Sequence, residues 1–347
     1  MSTLDVTVVI PSYDRPHLLL EALQSVLTQT RPPREIVVVD NGHGDETAEV
    51  VAGLGSRVRL IRTEPAGVQA ARNTGIDAAT SRWIALLDDD DLYRPTFFER
   101  AAPALIDGRP NLVFGDHRKF IGSPVTGLVS ERTNAQRAPA GYWDGMQGPA
   151  SGVDWTYVGA FPVERLLQYN VFYPSTMVIQ KDLFEKAGGY DPAVRGIKTE
   201  DMEFMTRALP VAQLAFAWGA QVDYRMHGAN NGGDLLAQYI GRWRIFEYVR
   251  DKDEHGSVPL AEALDADLPG RRNAVVRTAF RHGELDVLPE VAARMPAGER
   301  SLLTRLLLAT ARLPRPVALQ LIGAGNRVRP TRRDRAQQPQ WTSPVGE

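Results

Sequence analysis

Four short apolar runs, alternating with stretches of helical spacing, fix what the first hundred residues can fold into. Val6 to Ile10 stops at Pro11, and Ile36 to Val39 stops at Asp40-Asn41-Gly42. Val58 to Ile61 is a third, weaker run, and Trp83 to Leu87 opens directly into Asp88 to Asp91. Between them, Leu19, Leu23, Val26 and Leu27 form one helical face after Pro16, and a second helix is predicted from Val68 to Ala79. Strands without polar alternation need cover on both faces, which means a mostly parallel α/β sheet flanked by helices. Ligands of such sheets bind beyond the carboxyl ends of the strands. Tyr13-Asp14-Arg15, Asp40 and the aspartate run fall at three of these ends, so they point to one shared site.

The aspartate run carries its own chemistry. Four adjacent carboxylates repel one another, and burial without a partner is costly. A hard divalent cation, Mg²⁺ or Mn²⁺, is the partner that oxygen ligands favour, and it usually shares its shell with water and a substrate phosphate. A solvated acidic turn is the other reading of the run taken alone. Composition removes several classes of function. With no cysteine, the chain has no disulfide framework, thiolate metal site or cysteine nucleophile. A net charge of −2 gives no electrostatic case for nucleic acid. No basic n-region with an apolar core opens the chain, and no apolar stretch reaches the roughly 18 to 20 residues of a membrane span.

Beyond Asn111 the pattern loosens until Pro174, and Gly141 to Tyr173 is rich in glycine, proline and aromatic residues, as a lid, a binding wall or a cover over the sheet edge would be. Met177 to Gln180 reads as a strand and Asp182 to Lys186 as a short helix. After Asp234, an N-cap, the residues Leu236, Tyr239, Ile240, Trp243 and Phe246 share a helical face. From Pro259 the chain is rich in Leu, Ala and Arg. The apolar stretch Leu302 to Ile322 carries Arg305, Arg312 and Arg315, and Arg327, Arg329, Arg332, Arg333 and Arg335 follow with only Asp334 opposing. A helical bundle accounts for this region, and so does an amphipathic helix with a basic tail lying on a membrane surface.

Five segments in this order, VTVVIPSYDRP, EIVVVDNGHGDET, GVQAARNTGIDAA, WIALLDDDDLYRP and TEDMEFMTR, resemble a family 2 glycosyltransferase of the inverting GT-A fold over residues 5 to 230. The resemblance implies that Pro11, Tyr13 and Arg15 hold the nucleotide base and that Asp40 accepts a hydrogen bond from it, commonly from uracil. It implies that Arg72 and Asn73 lie beside the ribose and diphosphate. Asp88 and Asp90 match a DxD motif, the first on the ribose and the second on the metal. Asp89, between them, is placed on the donor side as well. Glu200-Asp201 matches the family's ED pair, with Asp201 as catalytic base and Glu200 beside the donor. An acidic pair at a helix N-terminus is also favoured by the macrodipole, and the two roles are compatible. His227 stands where some relatives supply a histidine near diphosphate or metal. Two departures concern the base pocket: Asn41 stands where the family often has a second acid, and His43-Gly44 where a Ser-Thr pair is common.

The expectation is an inverting, metal-dependent transferase. It moves a sugar from a nucleotide-diphospho-sugar, UDP foremost, to the hydroxyl of a glycan, lipid-linked or small-molecule acceptor, in cell-surface polysaccharide or glycoconjugate synthesis. It works in the cytoplasm, with a peripheral place on the inner membrane as the sharper alternative. A nucleotidyltransferase would need a glycine-rich basic loop after the first strand, where Pro11 to Pro16 stands. A non-catalytic membrane-associated protein would not need Asp90 or Asp201. Residues 1–255 are expected to form the catalytic domain, with donor and acceptor halves meeting near residue 110, residues 256–330 a helical region, and 331–347 a disordered tail.

Overall fold

The computed structural model describes residues 3–146, 155–227, 235–252, 258–325 and 341–342. The expected flap from Asn230 to Gly233, the N-cap Asp234 and the basic run from Arg327 to Arg335 lie outside the described residues.

The apolar runs become β1 (Leu4–Ser12), β2 (Pro33–Asp40), β3 (Val58–Arg62) and β4 (Trp83–Leu86), and the stretches between them α1 (Pro16–Leu27), α2 (Glu46–Ala52) and α3 (Val68–Ala78). The four strands are parallel, in the order β4-β1-β2-β3. Pro16 opens α1, where its missing N–H costs nothing, and Leu19, Leu23 and Val26 are fully buried. Each such side chain contributes about 1.5–3 kcal/mol by leaving water. The helix α3 lies on the opposite face, where Ala71 packs against Val37 and Val39. A Cβ at Gly75 would overlap Val9 Cγ1 and press within 3.0 Å of Val39 Cγ2, so only glycine lets α3 come this close to the sheet. That approach fixes the height of Arg72, one turn earlier on the same helix.

The second half of the sheet is mixed. The chain continues through β5 (Leu92–Tyr93), α4 (Phe97–Asp107), β6 (Leu112–Ile121), β7 (Leu128–Ser130), β8 (Trp155–Gly159), β9 (Met177–Gln180), α5 (Lys181–Lys186), α6 (Glu200–Ala208) and β10 (Leu214–Arg225). The strand β9 inserts antiparallel between β4 and β6. On the other side β10 runs parallel to β6, with β8 antiparallel against it. The stretch after Asn111 is therefore not loose: β6 spans ten residues of it. Its polar middle hides it, because Asp116 and His117 are buried, Asp116 by accepting backbone N–H bonds from His117 and Ala135. The described aromatic residues after Gly141 pack over this half of the sheet. Tyr142, Phe161 and Phe172 are buried, and Phe172 lies 4.5 Å from Phe114 between ring centroids. A cover over the sheet accounts for these rings.

The described residues up to Gly196, with Glu200–His227 and the C-terminal pair at 341–342, make one compact unit; Ile197–Thr199 and the described residues from 235 to 325 make a second. The boundary thus falls after His227 rather than near residue 255, because α7 (Leu235–Lys252) packs on α8 (Val258–His282). Trp243, Ile245 and Phe246 of α7 are buried, while Tyr239 and Ile240 of the expected face are only half-buried. Among the described residues three further α-helices belong to this unit: α9 (Leu288–Ala293), α10 (Leu302–Thr310) and α11 (Arg315–Gly325). The apolar stretch from Leu302 to Ile322 forms two helices, with the break between Ala311 and Pro314. Part of the expected disordered tail is also ordered: Trp341–Thr342 form β11, antiparallel to β7.

Candidate functional site

Strand register brings the polar clusters to one edge. Ser12 pairs with Asp40, and Asp40 with Arg62, while β4 ends level with Val9. Pro11 is buried in β1 opposite Val39, beyond the last residue that β1 pairs with β4, so no ladder bond is lost there.

The first two loops are tied to each other. His43 donates its backbone N–H to Asp14 Oδ1 at 2.9 Å, and its Nδ1 lies 3.2 Å from Asp14 Oδ2. Tyr13, 47% exposed, meets the His43 ring edge-on at 5.6 Å. Asp40 is 1% exposed; its Oδ1 accepts the Gly42 N–H at 3.0 Å and its Oδ2 lies 3.4 Å from Arg62 Nε. Asn41 explains one departure from the family pattern. Its Nδ2 donates to Thr63 Oγ1 and the Glu64 carbonyl, which an acid could not do.

The four aspartates have separate surroundings. Asp88 accepts from Arg72 Nη2 at 2.7 Å. Asp89 is 1% exposed, pairs with Arg15, and lies 3.4 Å from the Tyr13 N–H. Burial pushes its carboxyl up to about 7 against the pull of Arg15, with Asp90 and Asp88 adding to the rise. Asp90 Oδ2 takes Arg15 Nη1 at 2.7 Å and lies 3.1 Å from His227 Nε2. Asp91 is buried on Ser175 Oγ at 2.6 Å and the Arg225 N–H at 3.0 Å, and burial, then Asp90 and Asp88, raise its pKa.

Arg72 joins the two acidic segments. The guanidinium is 2% exposed, bonds Asp88 through one nitrogen and Glu200 Oε1 through the other at 3.0 Å, and lies over the Tyr190 ring. Burial lowers its pKa, but Asp88, Tyr190 and Glu200 raise it further, so it remains a cation. Asp201, 8% exposed, receives Asn170 Nδ2 on Oδ2 at 3.1 Å. On the same helix, Arg207 forms a bidentate pair with Glu203, both bonds 2.7 Å.

Three residues expected on the donor also have partners within the protein. Arg15 faces the aspartates. Asp89 is enclosed by the first loop, which supplies the account of its charge that sequence alone lacks. Asn73 clips the Tyr190 backbone at both ends of its amide, at 2.8 and 2.9 Å. Conversely, Asn170, Ser175, Tyr190 and Arg225 contact the acidic residues or Arg72, and sequence reading assigns none of the four a role. Asn170 sits in an irregular segment and Ser175 in a single 3₁₀ turn, Pro174–Thr176, where neither periodicity nor a charge run marks them.

Among the described residues no group of three or more His, Asp or Glu side chains forms a metal cage. Asp90 Oδ2 lies 3.1 Å from His227 Nε2 and also takes Arg15 Nη1, so a divalent cation held by this pair would compete with that guanidinium for Asp90.

Residues 7–158 match the family model described as Glycosyl transferase family 2. Over 254 residues the chain is 25% identical to "Uncharacterized glycosyltransferase RP339" of Rickettsia prowazekii (strain Madrid E), covering 72% of this chain and 73% of that protein. Over 124 residues it is 30% identical to the Escherichia coli UDP-Glc:alpha-D-GlcNAc-diphosphoundecaprenol beta-1,3-glucosyltransferase WfgD, covering 35% of this chain and 49% of that one. Among solved structures, S. aureus TarS 1-349 in complex with UDP-GlcNAc superposes with a TM-score of 0.59 at 15% identity, over 93% of this chain and 92% of that one. At that identity the likeness speaks for the fold, an α/β sheet with flanking helices.

Proposed function

We propose, from the premise that this chain is a glycosyltransferase carrying a family 2 domain over residues 7–158, that it is an inverting enzyme acting on a UDP-sugar with a divalent cation. The observation that carries the reading is the buried Arg72 bridge, which holds the acidic strand end at Asp88 and the acidic helix start at Glu200 together. A donor diphosphate at the strand end would then have its sugar near Asp201, the next residue along. The solved relative's complex with UDP-GlcNAc and the UDP-Glc in the name of the E. coli relative support uridine as the base.

The roles follow from the surroundings. Tyr13 and Asp40 offer a ring and a carboxylate at the base end. Asp88 faces the ribose. Asp90 and His227 would hold Mn²⁺ or Mg²⁺, which when bound neutralises charge gathering on the departing diphosphate. Asp201 takes the proton from the acceptor hydroxyl as that oxygen attacks the anomeric carbon in line. One carboxylate suffices, since the leaving group needs charge stabilisation rather than a proton. Arg15, Asn73 and Asp89 shape the pocket instead of touching the donor. Thermal shift across UDP-, GDP- and dTDP-sugars with Mn²⁺ tests this. A UDP-sugar raises the melting temperature by mass action. If no nucleotide sugar is bound or turned over, the reading fails.

A second observation supports a reaction at a cytoplasmic membrane face, on a lipid-linked acceptor for surface glycan synthesis. No described helix is long and apolar enough to cross a membrane. In α10 and α11, however, Leu302, Leu306 and Leu321 are 75%, 58% and 50% exposed, next to exposed Arg305 and Arg312. Exposed leucines beside arginines, with one acid from Ser301 to Gln340, suit an anionic lipid surface. The full-length protein should float with vesicles containing anionic lipid, and Leu302→Ser with Leu306→Ser should reduce flotation several-fold. Equal flotation of both proteins removes the lipid role.

A further inference from the structure

We infer that Asn170 is a positioning residue for the carboxylate of Asp201; this rests on Asp201 acting as the base. An asparagine amide can point either way, and here its surroundings choose. Asn170 Oδ1 accepts the Phe172 N–H at 3.0 Å, so the NH₂ group must face Asp201, where it donates to Oδ2 at 3.1 Å. Asn170 is 5% exposed and Asp201 8%, so this bond is shielded from competing water.

The amide is held from three directions. The Asn170 carbonyl accepts from Asn134 Nδ2 at 3.2 Å, and the Asn134 N–H bonds the His117 carbonyl on β6 at 2.9 Å. Tyr169 donates its hydroxyl to Asn134 Oδ1 at 2.7 Å. Phe172, two residues on, is fully buried against Phe114 and Phe161. Asn170 is thus built on the sheet, while Asp201 sits in the first turn of α6. The bond between them sets the carboxylate's rotation relative to the sheet edge that carries Asp88 and Asp90. A base must stand within about 2.6–3.2 Å of the proton that it removes, so this rotation governs turnover without governing donor affinity. The Arg72 bridge fixes the neighbouring Glu200, and the Asn170 amide reaches Asp201 itself.

Asn170→Asp separates this role from a purely structural one. The aspartate keeps an oxygen for the Phe172 N–H, so the loop remains held. It replaces the donor facing Asp201 by a second carboxylate oxygen. The expected result is UDP affinity within two-fold of wild type and kcat for the UDP-sugar lower by about ten-fold or more. Asn170→Ala, which adds no charge, should show the same split; it decides the matter if the aspartate variant does not fold. Turnover within two-fold of wild type in whichever variant folds overturns the inference, as does a loss of UDP affinity equal to the loss of turnover. Asp201→Asn keeps the premise separate. If it still turns over, the base assignment itself fails; if it is dead while the Asn170 variants are active, only the positioning role falls.

Discussion

Replacing Arg72 by methionine is expected to lower the melting temperature by about 10 °C and to abolish UDP binding. The guanidinium is 2% exposed and is the shared partner of Asp88 and Glu200, whose side chains are 26% and 14% exposed. Removing one member of a buried ionic set leaves the others facing each other without compensation, typically at a cost of about 3–5 kcal/mol. Asp88 retains some water, so the lower end applies, and in a unit of this size each kcal/mol moves the midpoint by about 2–4 °C. Differential scanning fluorimetry with and without UDP measures both effects. A shift below about 2 °C would mean that the bridge contributes little and that α6 is held in place by other contacts.

The second large effect is catalytic. Asp201→Asn should reduce turnover of the donor by about 10²–10⁴-fold, the usual contribution of a general base, with UDP-sugar affinity unchanged. The amide is nearly isosteric with the carboxylate but cannot take a proton. Stopped turnover with intact binding by calorimetry is the expected pair of results. If binding is lost as well, Asp201 belongs to the donor pocket and the base lies elsewhere.

Much of this could be read from the chain itself. The unbroken apolar runs required a doubly covered parallel sheet, and the polar residues that end them do align in register at Ser12, Asp40 and Arg62. The spacing of Glu203 and Arg207 anticipates their ion pair on α6. What stayed hidden was hidden for physical reasons. The strand β6 carries Asp116 and His117 in its buried middle, so its composition imitates a loop. Nothing local shows that Arg15 will meet Asp90 or that Asn73 will meet the Tyr190 backbone. Asn170 and Ser175 act through tertiary neighbours far away in sequence, and no periodicity encodes that.

The short strand β11 has a consequence for anyone who exchanges parts between relatives. The polypeptide leaves the catalytic sheet after His227, builds the helical unit, and then returns to pair with β7. The helical unit is therefore an insertion rather than an appendage. Grafting it from another protein takes two junctions, one after His227 and one before Trp341. Deleting the C-terminus also strips an edge strand from β7, so a truncated chain reports on both units at once.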